Sequence, residues 1–170
     1  MHLDGREIGA LIHGMGFGAL FLLAFSGALA GFYSLRPELV TALGVQERVK
    51  RLKVGVVAMA VAAWGTVITG TYIIYPWYRA KSADSPKSIL LADESTAGWH
   101  DFGMEWKEHI AWISPMLATV SAFVVLYYGV DLIKNDRARK IAMWLLILAF
   151  ATAAVAGLFG ALITKIAPVK

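Results

Sequence analysis

Residues 141–164 read IAMWLLILAFATAAVAGLFGALIT and contain no charged side chain. A helix needs about 20 consecutive apolar residues to cross the hydrocarbon core of a bilayer. Three earlier segments, about 8–32, 54–75 and 105–130, are apolar over most of their length. The sequence therefore predicts an all-α integral membrane protein. Residues 1–170 are expected to form a single transmembrane domain, built as a four-helix up-down bundle.

The composition narrows the classes of function. Only 16% of the residues are charged, against about a quarter in soluble domains. The chain has no cysteine, which excludes disulfides, iron–sulfur clusters and covalently attached haem. The middle of each predicted span lacks charged residues, which disfavours a stand-alone pump or transporter. The net charge of +4 arises beside the spans, so it favours lipid headgroups over nucleic acid as the partner.

The distribution of lysine and arginine predicts the topology. These residues are concentrated in connections 34–53 and 131–140, which the positive-inside rule places in the cytoplasm. The loop 79–108 and both termini are then expected on the outer side. We expect the inner membrane of a bacterium, with the termini in the periplasm. The first apolar segment is too long for a signal peptide and is expected to be a true span.

Two local features bear on the ends of the spans. Apolar residues from Leu39 to Leu52 recur at roughly helical spacing. They predict either an amphipathic helix on the membrane surface or an early start of the second span. Pro115 removes a backbone donor inside the third span, so a kink is expected near residues 111–116.

The stretch GMEWKEHIAWISPM, residues 103–116, places His109 about one helical turn inside the third span. His13 occupies a corresponding position in the first span. At 1.5 Å of rise per residue, both imidazoles are expected roughly 6–7 Å below the outer end. In an up-down bundle these two spans are diagonal neighbours, and cofactor sites are built between such helices. The pair predicts axial ligation of one b-type haem on the outer side.

Other residues complete the predicted haem site. Gly16 and Trp112 are expected to line the ring beside the two ligands. Cations at the outer surface are expected near the propionates: Arg6, Arg79 and Lys107. Met15, Met116 and His100 are alternative ligands, should either predicted histidine not serve.

Simpler interpretations remain open. Both histidines lie near the interface, where water or loop residues satisfy them, and Glu105 and His109 have the i, i+4 spacing of a local pair. A zinc site from Glu105, His109 and His100 is a further alternative, without support from ligand spacing. Tyr72, Tyr75 and Trp77 are expected to be interfacial belt residues. Their functional alternative is a pocket for a quinone head group.

With His13 and His109 in four spans, the chain resembles the broad class of small membrane b-type cytochromes. The resemblance is architectural. It implies a haem-binding membrane subunit of a larger electron-transfer complex, which relays electrons between the quinone pool and a partner on the outer side. Members of the class often carry two haems held by four histidines. The inner halves of these spans lack histidine, so we expect one haem. The alternative function is a cofactor-free structural or anchoring subunit of a membrane complex.

Overall fold

A computed structural model describes residues 2–41 and 44–168, and in these ranges the chain is helical without any strand. Four of its helices are long and apolar enough to cross a membrane, which confirms the predicted all-α membrane bundle. A short helix lies in the loop between the second and third. In chain order the helices are α1 (Gly5–Ser34), α2 (Val45–Tyr78), α3 (Pro86–Leu91), α4 (Glu94–Ile133) and α5 (Asp136–Ile166). We call α1, α2, α4 and α5 the spans.

The spans are arranged as an up-down bundle. Helix α1 packs along α2, α2 along α4 and α4 along α5, while α1 meets α5 over a shorter stretch. Spans α1 and α4 are therefore diagonal. We call the end that holds helix α3 the long-loop end; there, α1 and α4 begin and α2 and α5 end. Residues 35–41, 44 and 134–135 lie at the opposite end, the short-turn end. Which end faces the cytoplasm stays a prediction.

All four helices begin before the apolar segments, and two of them begin about ten residues earlier. Helix α2 starts at Val45, in line with the early-start interpretation of this basic segment. Val49 and Leu52 are buried there, and the side chain of Leu52 packs on Gly31 of α1. Helix α4 starts at Glu94, after the Asp93 side chain accepts a hydrogen bond from the Ser95 amide. Residues 94–108 of the predicted loop 79–108 are therefore part of helix α4.

Departures from regular α-helix are concentrated toward the long-loop end. The helical pattern of α4 breaks at Ala111 and Trp112, because Pro115 has no amide proton to donate one turn back. Wider π-helical turns occupy Ile12–Gly16, Gly70–Ile74 and Trp99–Met104. Such turns often occur at functional sites, and the first of them contains His13.

Small side chains bring the helices close together toward the short-turn end. The core there is rich in alanine, including Ala28, Ala122 and Ala142. The buried hydroxyl of Ser121 donates to the Ala142 carbonyl oxygen at 2.8 Å, joining α4 to α5. The rings of Phe25 and Phe150 stack with centroids 4.1 Å apart and join α1 to α5. Van der Waals packing of this kind is the main force between helices in a membrane.

A buried arginine ties three chain segments together at the short-turn end. The guanidinium of Arg139 donates to the carbonyl oxygens of Leu35, Leu132 and Ile133. Its second terminal nitrogen pairs with Asp136. Carbonyl groups at helix C-termini have no partner within their own helix. Arg139 therefore donates hydrogen bonds to carbonyl groups at the ends of both α1 and α4.

The close approach of α1 and α2 gives a testable expectation. A side chain at Gly55 would meet the backbone of Ala28 at 3.3 Å, and backbone atoms cannot move aside cheaply. Gly55→Leu is expected to lower the free energy of unfolding by about 2 kcal/mol through overpacking. Unfolding in mixed detergent micelles, followed by circular dichroism, measures the change. Gly27→Leu is the control, because no heavy atom lies within 4 Å of a side chain placed there. Equal effects of both variants would contradict the expectation.

Candidate functional site

His13 projects from the π-helical turn of α1 onto α2. Its Nδ1 atom lies 3.0 Å from the hydroxyl of Thr69. A side chain at the neighbouring Gly70 would come within 2.9 Å of the imidazole ring, so only glycine leaves this space. The side chain is half-buried. The wide turn of α1 and the small residues of α2 together position this histidine.

The hydrogen bonds of Thr69 decide which nitrogen of His13 carries the proton. A hydroxyl has one proton to donate, and the Thr69 hydroxyl donates it to the Gly65 carbonyl oxygen at 2.7 Å. Thr69 therefore accepts from His13, so Nδ1 carries the proton. The Nε2 atom then holds a free lone pair, the form in which a neutral imidazole binds a metal.

His109 has the same tautomer for a different reason. Its Nδ1 atom lies 2.7 Å from the backbone carbonyl oxygen of Glu105, one turn earlier in α4. A carbonyl oxygen can only accept, so Nδ1 carries the proton and Nε2 holds the lone pair. The pairing of His109 with Glu105 thus uses the backbone and not the carboxylate. Unlike His13, His109 is exposed on the side of its span.

The two histidines lie beside different parts of α2. His13 lies against Gly70 of α2, whereas Glu108, the residue before His109, bonds to Tyr75 of α2. The predicted diagonal placement of their spans agrees with the structure. Their equal depth stays a prediction.

Lys107 extends toward the interior of the bundle from α4. Its Nζ atom lies 2.8 Å from the position that a side chain on Gly160 of α5 would take. It is also near enough to His13 to interact with it electrostatically. In the ranges 2–41 and 44–168, no carboxylate forms a salt bridge with this ammonium group. Lys107 is thus half-buried without a direct salt bridge, although the charge of the neighbouring Glu108 acts on it.

Arg79, by contrast, is already engaged at the end of α2. Its guanidinium contacts Glu105 at 2.6 Å and Glu108 at 3.1 Å, and it lies over the ring of Tyr75. Burial alone would lower the pKa of Arg79, but the hydrogen bond and charge of Glu108 raise it above its ordinary value. The buried Nε atom lacks a hydrogen-bond partner among the residues that the structure describes. The group therefore stays charged and joins α2 to α4.

The remaining predicted residues are distributed around this end of the bundle. Arg6 is exposed; its charge helps to lower the pKa of Asp84 in the loop, after the larger effect of the Ser82 hydrogen bond. Gly16 faces open space. Trp112 is half-buried, with its ring edge-on to Trp64 of α2 at 6.2 Å between centroids. The structure thus brings Lys107 close to His13, and leaves Arg6 toward the loop.

The alternative haem ligands differ in their burial. His100 is buried, and its Nδ1 atom is hydrogen-bonded to the Tyr78 hydroxyl at 2.9 Å, which fastens the start of α4 to α2. Met15 and Met116 are exposed. Over residues 2–41 and 44–168, no three histidine or acidic side chains are grouped so that they could hold a metal ion. The zinc interpretation of Glu105, His109 and His100 is therefore wrong, because His100 faces Tyr78 and Glu105 faces Arg79.

Sequence reasoning missed two contributors to this region. Thr69 sets the tautomer of His13, and nothing in the sequence pairs residues that are 56 positions apart. Glu108 joins Tyr75 and Arg79, whereas Tyr75 was predicted as a belt residue, with a quinone pocket as the alternative. Tyr75 lies about one turn before the end of α2. That position was the signal that the sequence offered for this contact.

The chain was also compared with known proteins. No protein-family model, curated protein or solved structure matches it.

Proposed function

We propose that this chain is a haem b-binding membrane subunit of a larger electron-transfer complex. The observation that supports this most directly is the state of the two imidazoles. Each donates its Nδ1 proton within the chain and keeps the Nε2 lone pair free. Histidines that bind metals almost always have this arrangement, because the second hydrogen bond orients the ring and raises its basicity.

Lys107 is the residue best suited to an anionic part of the cofactor. Its ammonium group is half-buried and forms no salt bridge in the described ranges, although the charge of Glu108 acts on it. A cation in such a place is costly unless an anion accompanies it. A haem carries propionates, which would supply that charge. Arg79 is less suited to bind a propionate than predicted, because its guanidinium already pairs with Glu105 and Glu108.

The role of such a subunit would be electron transfer and not catalysis. His13 and His109 would hold the iron, which would change only its oxidation state. One haem at the long-loop end cannot carry electrons across the whole bilayer, so electrons would pass between the quinone pool and a partner at that end. Tyr75 and its neighbours remain the place for a quinone head group.

The purified chain is expected to show the visible spectrum of a b-type cytochrome. A dithionite-reduced minus air-oxidised spectrum should contain a sharp α band. Pyridine haemochrome quantification should give about one haem per chain, because the residues point to one site at one end. A folded preparation without haem would contradict the proposal, and so would a metal other than iron.

A specific observation favours the second candidate, a cofactor-free structural or anchoring subunit. His109 is exposed, and Lys107 lies in the interior next to Gly160. For both histidines to hold one haem, the His109 ring would have to leave the exposed side of α4. If the chain holds no haem, Arg79 with Glu105 and Glu108 is best explained as a clamp between α2 and α4. The spectrum separates the two candidates.

A further inference from the structure

A second apolar cluster lies at the long-loop end, separate from the alanine-rich core. Its buried side chains come from α2, α3, α4 and α5: Tyr78, Leu90, Met104 and Ile163. We call these four residues the end cluster. The end cluster fastens helix α3 and the first part of α4 to the ends of α2 and α5.

His100 is a buried ionisable residue beside the end cluster. It is 6% exposed and lies in the π-helical turn Trp99–Met104. Its Nδ1 atom lies 2.9 Å from the hydroxyl of Tyr78, which is itself buried. Because the Tyr78 hydroxyl is uncharged, this hydrogen bond supplies no counter-charge to a protonated imidazole. Burying such an unpaired charge costs free energy, so the contact favours a neutral His100.

The charges that act on His100 come from three elements. In decreasing order of effect they are Lys87 on α3, Arg79 at the end of α2, and Asp101 and Glu105 on α4. Burial has a larger effect than any of them and opposes a charged imidazole, as do both cations. The two carboxylates favour the charge, but Glu105 already pairs with Arg79. From α5, the end cluster receives the apolar Ile163, and Lys165 is exposed.

His100 lies before the apolar part of α4. The uncharged stretch of this helix begins at Ile110, ten residues later, which is about 15 Å along a helix. Histidine is the side chain whose ordinary pKa, near 6.5, places its change of charge between pH 5 and 8. His100 is therefore placed to respond to the pH of the compartment that the long-loop end faces.

We propose that His100 is a pH-sensitive switch, which holds the end cluster together when it is neutral and loosens it when it is protonated. Once the cluster opens, the imidazole meets water and binds a proton with its ordinary affinity. The closed form is therefore stabilised above about pH 6.5, and this stabilisation is lost as the pH falls. The switch does not depend on haem, or on which end of the bundle faces the cytoplasm.

Hydroxyl-radical labelling of the purified chain in detergent, read by mass spectrometry, tests this proposal. Met104 of the end cluster is 7% exposed, and Met59 of the alanine-rich core is fully buried and serves as the internal reference. We expect the labelling of Met104 relative to Met59 to rise as the pH falls from 7.5 to 5.0. The rise is at most about 30-fold, the change that one imidazole with its ordinary pKa in the open form allows. An unchanged ratio would overturn the proposal.

A variant without the titrating group assigns the response to His100. His100→Asn keeps a polar side chain that can hydrogen-bond to Tyr78 and does not gain a proton in this pH range. The ratio for this variant should not change with pH. His2→Asn is the control, because His2 is exposed and lies before α1 at the same end, and this variant should keep the full response. Equal responses of the two variants would exclude His100 as the switch.

A second pair of variants keeps the proposal testable if His100→Asn does not fold. Lys87→Gln removes the cation with the largest effect on His100. The closed form then tolerates the proton better, so the rise in Met104 labelling at low pH should be smaller. Lys81→Gln is the matched control, because it removes an exposed cation of the same loop that is not among the groups acting on His100. An equal response of the two variants would contradict the proposal.

Discussion

Replacing His13 by alanine is expected to abolish the α band of the reduced-minus-oxidised spectrum. His13 would supply one axial bond to the iron, and in this structure it is less exposed than His109. Of the alternative ligands, His100 is buried and already hydrogen-bonded to Tyr78. Loss of an axial ligand from a two-histidine site leaves the cofactor without a stable attachment. The haem content per folded chain is the quantity to measure.

The companion variants make this expectation specific. His109→Ala should lose the haem as well, whereas His2→Ala should keep it, because His2 lies outside the bundle. Thr69→Val removes the acceptor of the His13 proton and keeps the imidazole. A metal-binding histidine that loses such a partner binds about 10–100-fold more weakly. Thr69→Val should therefore reduce haem retention without abolishing it. Full haem content in both alanine variants would show that these histidines are not the ligands.

Replacing Arg139 by alanine is expected to lower the free energy of unfolding by about 3 kcal/mol. The carbonyl oxygens of Leu35 and Leu132 would lose their donor in a place that water barely reaches, because Arg139 is only 9% exposed. Each buried acceptor left unpaired costs about 1–3 kcal/mol. Unfolding in mixed micelles, followed by circular dichroism, gives the change. Haem content should be unaffected at temperatures where the variant is folded, since Arg139 lies at the opposite end from His13.

Two controls separate the hydrogen bonds of Arg139 from its charge. Lys134→Ala removes an exposed cation of the same connection and should change the stability by less than 0.5 kcal/mol, as surface substitutions usually do. Arg139→Lys keeps the charge but not the planar set of donors, so an intermediate loss is expected. A full-size loss in Lys134→Ala, or none in Arg139→Ala, would contradict this account of the short-turn end.

The spans were predictable from the sequence because hydropathy and helix length depend on neighbouring residues. The uncharged run 141–164 and the break caused by Pro115 both needed only local information. The early start of α2 was left undecided for a physical reason. Glu47 and Arg51 pair on its exposed face while Val49 and Leu52 are buried, and a surface helix would show the same pattern. The contact of Leu52 with Gly31 decides between a surface helix and an early start of the second span.

The site was less predictable because it depends on how the helices are aligned. Counting residues from each apparent span end placed His13 and His109 at equal depth. It could not show their partners on α2, where His13 lies against Gly70 and Glu108 bonds to Tyr75. Counting also could not show which side of α4 each residue occupies. Lys107 extends inward, whereas His109, two positions later, is exposed.

The hydrogen bond between Arg139 and the Leu35 carbonyl also bears on how the protein is made. The two residues are 104 positions apart, so the end of the first span is completed by a residue that the ribosome adds much later. At about 5–20 residues per second, the delay is roughly 5–20 s. During that time α1 and α2 can pair through Gly55 and Ala28, but the Leu35 carbonyl must rely on water or lipid headgroups. Closure of the bundle at this end is therefore a late event in synthesis, and it depends on insertion of the last helix.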